Sequence, residues 1–302
     1  MRLRTLGTVL VTGALLVGLA ACGDDDDDAG GATTTAAGGA TTTASSGESK
    51  CGDLSAVTKA EGLPAFTPTS DGKFTLVTSL PGPGFFDGGD TPDKVNAGVE
   101  YCMGQVMARK LGLEMELRNE TFQSITTGVV QDYDLALSQS SITDERKKVV
   151  DFTEPYYKSD QGILAATGTT VATLDDAKKL LFAVQTGTTG EYFVTDIVKP
   201  QQQPQVFQDL NGAYTALAAG QVDAVMMDTA INLGQAARSD GKLAVVAQFA
   251  NEDYYGGIVP KGSTNLEAIN ALLKQMEDDG TMTELIALNL GGDPTKVPFI
   301  EV

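Results

Sequence analysis

One stretch of sequence decides the fold of this chain: SITDERKKVVDFTEPYY, at residues 141–157. It follows residues 134–137, a short apolar run that predicts a strand buried on both faces. Ser141 places a hydroxyl after this strand, and the guanidinium of Arg146 is a planar fork that suits a carboxylate. The alternative is that Arg146 is an ordinary surface residue beside the two lysines that follow it.

A second polar stretch, QTGTTG at residues 185–190, follows another apolar strand. Gln185 lies at the strand end, and Thr188 and Thr189 open a helix, where unpaired backbone N–H groups and two hydroxyls can bind an anion. Because Glu191 follows Thr188 at the spacing of a capping box, the alternative is that the threonines only cap the helix.

The third polar position ends the run VDAVMMD, at residues 222–228. Asp228 follows an apolar strand directly, and an acid at the carboxyl end of such a strand is well placed to bind a cation. The alternative is that Asp228 caps the next helix. An arginine, hydrogen-bond donors and an acid are together what a zwitterion requires.

Strand and helix patterns alternate from residue 72 onward. Residues 74–78 and 114–117 are typical of strands. Between them, residues 91–112 predict a helix, because a threonine–proline pair opens the segment, apolar residues recur at helical spacing and a glycine closes it. This alternation favours an α/β fold with mainly parallel sheets.

The composition excludes several function classes. The 302 residues carry a formal net charge of -19, and so acidic a surface repels nucleic-acid phosphates. The sequence has no histidine, which excludes histidine-dependent nucleophiles and histidine-ligated metal sites. No phosphate-binding glycine loop is present, so we expect neither a cofactor nor a metal.

The first residues predict export. Residues 1–21 combine two arginines with an apolar run and small residues, as in a secretory signal peptide. The sequence LAACG at 19–23 resembles a lipobox, in which Cys22 is lipidated and holds the protein on the outer membrane face. The alternative is an ordinary export signal with an incidental cysteine. We expect residues 22–70 to form a flexible linker rich in Ala, Gly, Thr and Ser.

Two further cysteines remain after Cys22. In an oxidising compartment a pair of cysteines is more often bonded than free, so we predict a disulfide between Cys51 and Cys102. The alternative is two separate buried thiols.

The order of these motifs resembles the bacterial extracellular solute-binding proteins of family 3, the polar amino-acid receptors of ABC importers. The matching segments are residues 141–157, VQTGTTG at 184–190, VDAVMMD at 222–228 and YGGIVPKG at 255–262, and the resemblance covers residues 72–290. It implies a type II periplasmic-binding-protein-like clamshell of two lobes. Residues 71–159 and 256–302 would form lobe 1, residues 160–255 would form lobe 2, and two crossovers, near 158–162 and 254–257, would form the hinge.

The resemblance also implies roles for individual residues. Arg146 would bind the α-carboxylate of an amino acid with help from Ser141 and Thr189, and Asp228 would bind its α-ammonium. The aromatic wall for the ligand side chain would be Phe122. The remaining candidate binding residues are Thr188, Gln185, Ser79 and Gln139.

Several positions depart from the family pattern. Ser79 stands where the family has an acid after its first strand, and Gly82 stands where it has an aromatic ring, with Phe85 and Phe86 only later. Gln139 lies in a run where the family often has small residues. Because Ser79 is not an acid, we expect a polar, uncharged or unusual amino acid rather than arginine or lysine as the ligand.

The function we expect is an extracytoplasmic, monomeric receptor that delivers a free amino acid to an ABC permease. One alternative is a sensing module for a membrane signalling partner. Another is an enzyme on the same scaffold, for which Glu100 and Glu191 are the nearby acid–base candidates.

Overall fold

Two five-stranded sheets form the framework of residues 51–302, the part of the chain that the computed structural model describes. The first sheet contains β1 (Lys73–Thr78), β2 (Glu114–Asn119), β3 (Leu135–Ala136), β4 (Val150–Phe152) and β10 (Ile258–Pro260). The second contains β5 (Tyr157–Ala166), β6 (Phe182–Gln185), β7 (Gln205–Phe207), β8 (Ala224–Asp228) and β9 (Leu243–Tyr255). Each sheet with its helices is one lobe, so the two-lobed α/β clamshell is confirmed.

The sheets are mixed, which corrects the expectation of mainly parallel strands. In the first sheet, with order β2-β1-β3-β10-β4, β1 runs parallel to both neighbours, but β10 runs antiparallel to β3 and β4. In the second, with order β7-β6-β8-β5-β9, β6 runs parallel to its neighbours and β5 antiparallel to β8 and β9. The antiparallel strands lie where the chain crosses between the lobes. The chain enters the second lobe along β5, leaves it along β9 and returns to the first sheet at β10.

The two connecting strands lie side by side. Along β5 and β9, Tyr157 pairs with Tyr255 and Ser159 pairs with Asp253. Beyond this pairing β9 also meets the first lobe, since Ile142 donates its backbone N–H to the carbonyl of Tyr254 at 2.8 Å. These paired strands cross between the lobes where the sequence predicts the hinge.

Eight α-helices pack on the sheets in this part of the chain. They are α1 (Val99–Leu111), α2 (Phe122–Thr126), α3 (Leu174–Ala177), α4 (Thr189–Tyr192), α5 (Leu210–Ala218), α6 (Thr229–Ala237), α7 (Leu266–Asp278) and α8 (Thr281–Asn289). A π-helical turn, Phe193–Val198, extends α4. Helices α1, α7 and α8 contribute to the largest apolar core, with Phe74 and Leu76 of β1 fully buried in it.

Helix α1 begins at Val99 rather than at residue 91, which corrects the expected start. The preceding segment forms a bridge instead, in which the backbone of Asp87 pairs with that of Ala97. Gly98 caps the helix at φ 112°, and a Cβ there would lie 2.2 Å from the carbonyl oxygen of Phe85. Only glycine permits this close approach, so tertiary contact fixes the helix start.

Residues 51–70 pack on the first lobe, which corrects the expectation that the linker extends to residue 70. Cys51 is bonded to Cys102 of α1, so the predicted disulfide is present. Thr69 donates to the Asp134 carboxylate at 2.8 Å, and Thr67 exchanges hydrogen bonds with the Asn265 side chain. The disulfide and these bonds fix this segment to the fold.

The last residues pack on the second lobe, although the sequence assigns residues 256–302 to the first. The amide of Gln248 on β9 donates to the carbonyls of Pro294 and Val297 at 2.8 and 2.9 Å. Ile300 is buried in the apolar core of the second sheet. The chain therefore passes between the lobes a third time, after α8.

The predicted signal peptide at 1–21, the predicted lipidation site Cys22 and the predicted linker residues 23–50 lie outside the described residues. Within residues 51–302, no helix combines the length and apolar character needed to cross a membrane.

Candidate functional site

Arg146 stands at the start of a short 3-10 turn, Arg146–Lys148, on the first lobe. Its backbone N–H is held by the hydroxyl of Thr143 at 3.2 Å, and Nη1 donates to the carbonyl of Ser141 at 2.7 Å. The guanidinium lies over the ring of Phe122, 5.0 Å from the ring centroid, in a cation–π contact. The structure thus brings three predicted binding residues together, and Arg146 is only 8% exposed.

The second lobe contributes the turn between β6 and α4. The Thr188 hydroxyl accepts from the backbone of Glu191 at 3.0 Å, so Thr188 caps α4 as the capping-box pattern predicts. Glu191 in turn accepts from the backbone N–H of Gly187 at 2.6 Å. This exchange fixes the turn in the shape in which Thr189 reaches the other lobe.

The two lobes touch at these motifs. Nη2 of Arg146 donates to the carbonyl of Gly187 at 3.0 Å. The hydroxyl oxygens of Ser141 and Thr189 lie 3.4 Å apart. Because each contact joins one lobe to the other, the structure is that of a closed clamshell.

Asp228, the last residue of β8, is almost fully buried at 1% exposure. Its Oδ1 accepts from Nε2 of Gln161 at 3.2 Å. Burial and, to a smaller extent, the nearby charge of Asp253 raise the pKa of Asp228 to about 7, while hydrogen bonds from Ser159 and Tyr255 oppose the change. The hydrogen bonds within the protein therefore compensate only part of the cost of burying this carboxylate.

Asp253 is a site residue that the sequence reasoning missed. It lies on β9, half-buried, and Asn251 donates to its Oδ2 at 2.6 Å. Burial raises its pKa, and hydrogen bonds from Thr189 and Gln161 oppose this change. An acid two residues before the end of a strand carries no motif, and only the pairing of β9 with β5 brings it to the site.

The three charged groups lie within electrostatic reach of one another. Burial lowers the pKa of Arg146 to about 10, and the charges of Asp228 and Asp253 oppose that decrease. Arg146 is therefore still cationic at neutral pH. One guanidinium from the first lobe faces two carboxyl groups of the second.

Three predicted residues make other contacts. The Gln139 backbone N–H donates to Glu100 at 2.9 Å, and its side-chain amide also binds that carboxylate. The side chain of Gln185 donates to the carbonyl of Gln208 within its own lobe, at 3.4 Å. The backbone of Ser79 donates to the hydroxyl of Ser138 at 3.1 Å. These contacts fix strand ends in each lobe and do not join the group around Arg146.

Glu100 is fully buried in the first lobe. Burial raises its pKa to about 7, against the hydrogen bonds that it accepts from Tyr156 and Gln139. Glu100 and Glu191 were the candidate acid–base residues. Both carboxylates accept hydrogen bonds from other groups of the protein, Glu191 from the turn before α4.

Phe85 and Phe86 belong to the core rather than to a ligand wall. Phe85 is fully buried and packs edge-on against Tyr157 and Tyr255. Gly82 lies against the amide of Gln139, where a Cβ would be 3.0 Å from Oε1. Of the three phenylalanines considered as a wall for the ligand, Phe122 is the one whose ring contacts Arg146.

A cavity of about 570 Å³ lies beside Arg146 between the two lobes, within the range of small-molecule sites. First-lobe residues of α2 and the Arg146 turn line one side, and second-lobe residues of the α4 turn line the other. The lining includes Gln123, Thr126, Thr143, Gly187, Thr189 and Tyr192. Within residues 51–302, no cluster of three acidic or cysteine side chains could hold a metal ion.

Comparisons with known proteins agree with this geometry. Residues 89–291 match the sequence pattern of the bacterial extracellular solute-binding proteins, family 3. The L-cystine-binding protein TcyJ of Escherichia coli (strain K12) is 30% identical over 228 residues, which cover 74% of this chain and 85% of that protein.

Two solved structures share the fold. An amino acid ABC transporter substrate-binding protein from Streptococcus pneumoniae, bound to L-arginine, superposes with a TM-score of 0.64 at 28% identity, over 72% of this chain and 92% of that one. An ancestral amino acid-binding protein, described as a precursor of cyclohexadienyl dehydratase, superposes with a TM-score of 0.62 at 26% identity, over 72% and 95% of the two chains.

Proposed function

Because this chain belongs to the bacterial extracellular solute-binding proteins, family 3, we propose that it is an extracytoplasmic receptor that binds one free amino acid between its lobes and delivers it to an ABC importer. The observation that carries the proposal is the contact between the lobes at Arg146, whose Nη2 donates to the carbonyl of Gly187 and whose charge interacts with Asp228 and Asp253 of the second lobe. A dipolar ligand can compensate both charge signs only where the lobes meet.

In this proposal Arg146 binds the α-carboxylate, with Ser141 and Thr189 as further hydrogen-bond partners, and Asp228 binds the α-ammonium. Phe122 supports the guanidinium and forms one wall of the site. Gln139, Gln185, Thr188 and Ser79 hold the strand ends that carry these groups. Each charge-assisted hydrogen bond contributes about 1.5–3 kcal/mol in a desolvated site.

Closure of the lobes is the proposed output of binding. The ligand can reach Arg146 and Asp228 together only in the closed state. Binding therefore shifts the population of protein molecules from the open towards the closed conformation. Residues 71–159 with 256–293 act as one body in this proposal, and residues 160–255 with the C-terminal tail act as the other. The paired strands β5 and β9 are the hinge.

The membrane attachment is also part of the proposal. Cleavage after residue 21 and lipidation of Cys22 would hold a monomeric receptor on the outer face of the membrane, next to its permease. Replacing Cys22 with serine is expected to release the protein from the membrane fraction, which immunoblotting of fractionated cells would measure.

A binding role is favoured over an enzymatic one. The two acid–base candidates, Glu100 and Glu191, are committed to hydrogen bonds within the protein. Neither therefore offers a free group for proton transfer to a ligand.

The proposal is tested by thermal unfolding with a panel of L-amino acids. A ligand present at 100 times its Kd stabilises the protein by about 2.7 kcal/mol, which raises the melting temperature measurably. Arg146→Ala is expected to abolish this shift, whereas Lys148→Ala, in the same turn but exposed, is expected to retain it. A panel without any shift, or a full shift in Arg146→Ala, would contradict the proposal.

A further inference from the structure

One nitrogen atom in the site has three acceptors. Nε2 of Gln161 lies 3.2 Å from Oδ1 of Asp228, 3.4 Å from Oδ2 of Asp253 and 3.2 Å from Oγ1 of Thr189. A side-chain amide has only two N–H groups to donate, whereas an ammonium has three. The amide of Gln161 can therefore serve only two of these three oxygens at a time, which leaves one acceptor for a donor group of a ligand.

The strand register explains why both acids reach this place. Strand β5 lies between β8 and β9, where Gln161 pairs with Asp228 and Ser159 pairs with Asp253. Each acid thus comes from a different neighbour of the same strand. The convergence arises from the fold and is not a chance contact of exposed side chains.

One buried polar atom at this place lacks a hydrogen-bond partner among the described residues, namely Oε1 of Gln161. Buried polar atoms in folded proteins nearly always have partners. An unpaired amide oxygen beside two carboxyl groups can accept a hydrogen bond from a polar ligand.

The charges of the site are unequal. Arg146 contributes one positive charge, and Asp228 and Asp253 together can contribute two negative charges. A zwitterionic ligand with no net charge leaves this group one unit negative, whereas a ligand with one extra positive charge makes it neutral. An uncompensated charge is costly in a desolvated site.

We propose that Asp253 is a specificity-determining residue of the ligand site and that, together with Asp228, it selects an amino acid with a net positive charge. The inference rests on the proposed function, since it refines which amino acid the receptor takes. It replaces the expectation drawn from Ser79, which considered only the acid position after β1. Here the second acid comes from β9.

The test compares ligands that differ mainly in charge. Isothermal titration calorimetry on the full chain at pH 7.5 would measure the Kd of L-arginine against L-citrulline, and of L-lysine against L-glutamine. At least one cationic ligand is expected to bind at least ~10-fold more tightly than its neutral counterpart. Equal or tighter binding of the neutral member in both pairs would overturn the inference and leave the proposed function intact.

A variant of Asp253 tests whether this residue causes the preference for a cationic ligand. In Asp253→Asn, the Kd values of the cationic ligand and of its neutral counterpart are expected to differ by no more than about threefold. The matched control is Asp240→Asn, which removes a negative charge from an exposed position of the same lobe and accommodates the observed φ of 52°. A ratio that persists in Asp253→Asn would overturn the inference.

The comparison of wild-type Kd values needs no variant, so the inference is testable even if Asp253→Asn fails to fold. If no amino acid of either charge class binds the wild-type protein, the proposed function fails and the inference fails with it.

Discussion

Nη2 of Arg146, in the first lobe, donates a 3.0 Å hydrogen bond to the carbonyl oxygen of Gly187, in the second lobe. Nη1 of the same guanidinium donates to the carbonyl of Ser141, in its own lobe. One side chain therefore joins the two lobes and presents the remainder of its planar fork to the cleft.

This geometry predicts that charge alone cannot replace Arg146. Arg146→Lys keeps the positive charge but cannot donate to two carbonyls and a ligand carboxylate in one plane. We expect ligand affinity to fall about tenfold to a hundredfold, as isothermal titration calorimetry would measure. Circular dichroism should show an unchanged fold, and wild-type affinity in the lysine variant would contradict the assigned role.

A glycine of the second lobe packs closely against the first lobe. Gly234 on α6 faces Pro83 of the first lobe, and a Cβ at Gly234 would lie 2.7 Å from the backbone carbon and oxygen of Pro83. Gly234→Ala should therefore hold the lobes apart and weaken ligand binding by about tenfold or more. Small-angle scattering at saturating ligand should show a larger radius of gyration than in the wild-type protein.

The control for Gly234→Ala is Gly212→Ala. Its Cβ would meet only the ring of Phe207 within the second lobe, at 2.8 Å. This variant is expected to lose stability and to close normally. Similar scattering and affinity in the two variants would argue against steric blocking.

The disulfide holds the first described residues on α1. Cys51 and Cys102 are 51 residues apart, and a cross-link of that length stabilises a fold by about 4 kcal/mol through the entropy of the unfolded chain. The Cys51→Ala, Cys102→Ala variant should therefore unfold at lower urea concentration. Dithiothreitol should lower the stability of the wild-type protein and leave the double variant unchanged; equal effects on both would contradict this origin of the stability.

The buried carboxyl of Glu100 predicts a pH dependence. Its pKa is raised from 4.5 to about 7 by burial, so the folded state binds a proton more tightly than the unfolded state. The associated stability is fully present below pH 4.5 and is lost as the pH rises through 7. The Glu100→Gln side chain stays neutral and does not lose stability in this way. The free energy of unfolding of the variant, relative to that of the wild-type protein, should therefore rise by about 3 kcal/mol between pH 4.5 and pH 8.

Urea unfolding at several pH values would measure this gain. Glu277→Gln changes an exposed side chain on α7 and should show no such trend. A constant difference between Glu100→Gln and the wild-type protein across this range would show that Glu100 titrates normally.

Much of the architecture could be predicted because its signals are local. Strand periodicity located β1 and β2, and the glycine after α1 takes the left-handed conformation that ends the helix. The stretch at 141–157 placed Arg146, and the strand before Asp228 placed the acid at its carboxyl end. These features depend on residues within a few positions of one another.

The predicted start of α1 was wrong because the true start depends on a contact that is not local in the sequence. Thr91 and the proline after it have the composition of a helix N-terminus, but the helix does not begin there, because Ala97 first pairs with Asp87. Gly98 then permits the chain to pass against Phe85. This contact joins residues that are not neighbours in the sequence, so it leaves no periodic pattern of side chains from which it could be predicted.

The sequence by itself determined three polar motifs that follow strands, a cysteine pair and the order of strands and helices, because each arises from neighbouring side chains and their propensities. Only the tertiary structure decided that Asp253 joins Asp228, that Gln139 binds Glu100 and that the C-terminal tail packs on β9. These contacts depend on which strands lie side by side and on how deeply each group is buried, and both are set by the packing of the whole fold.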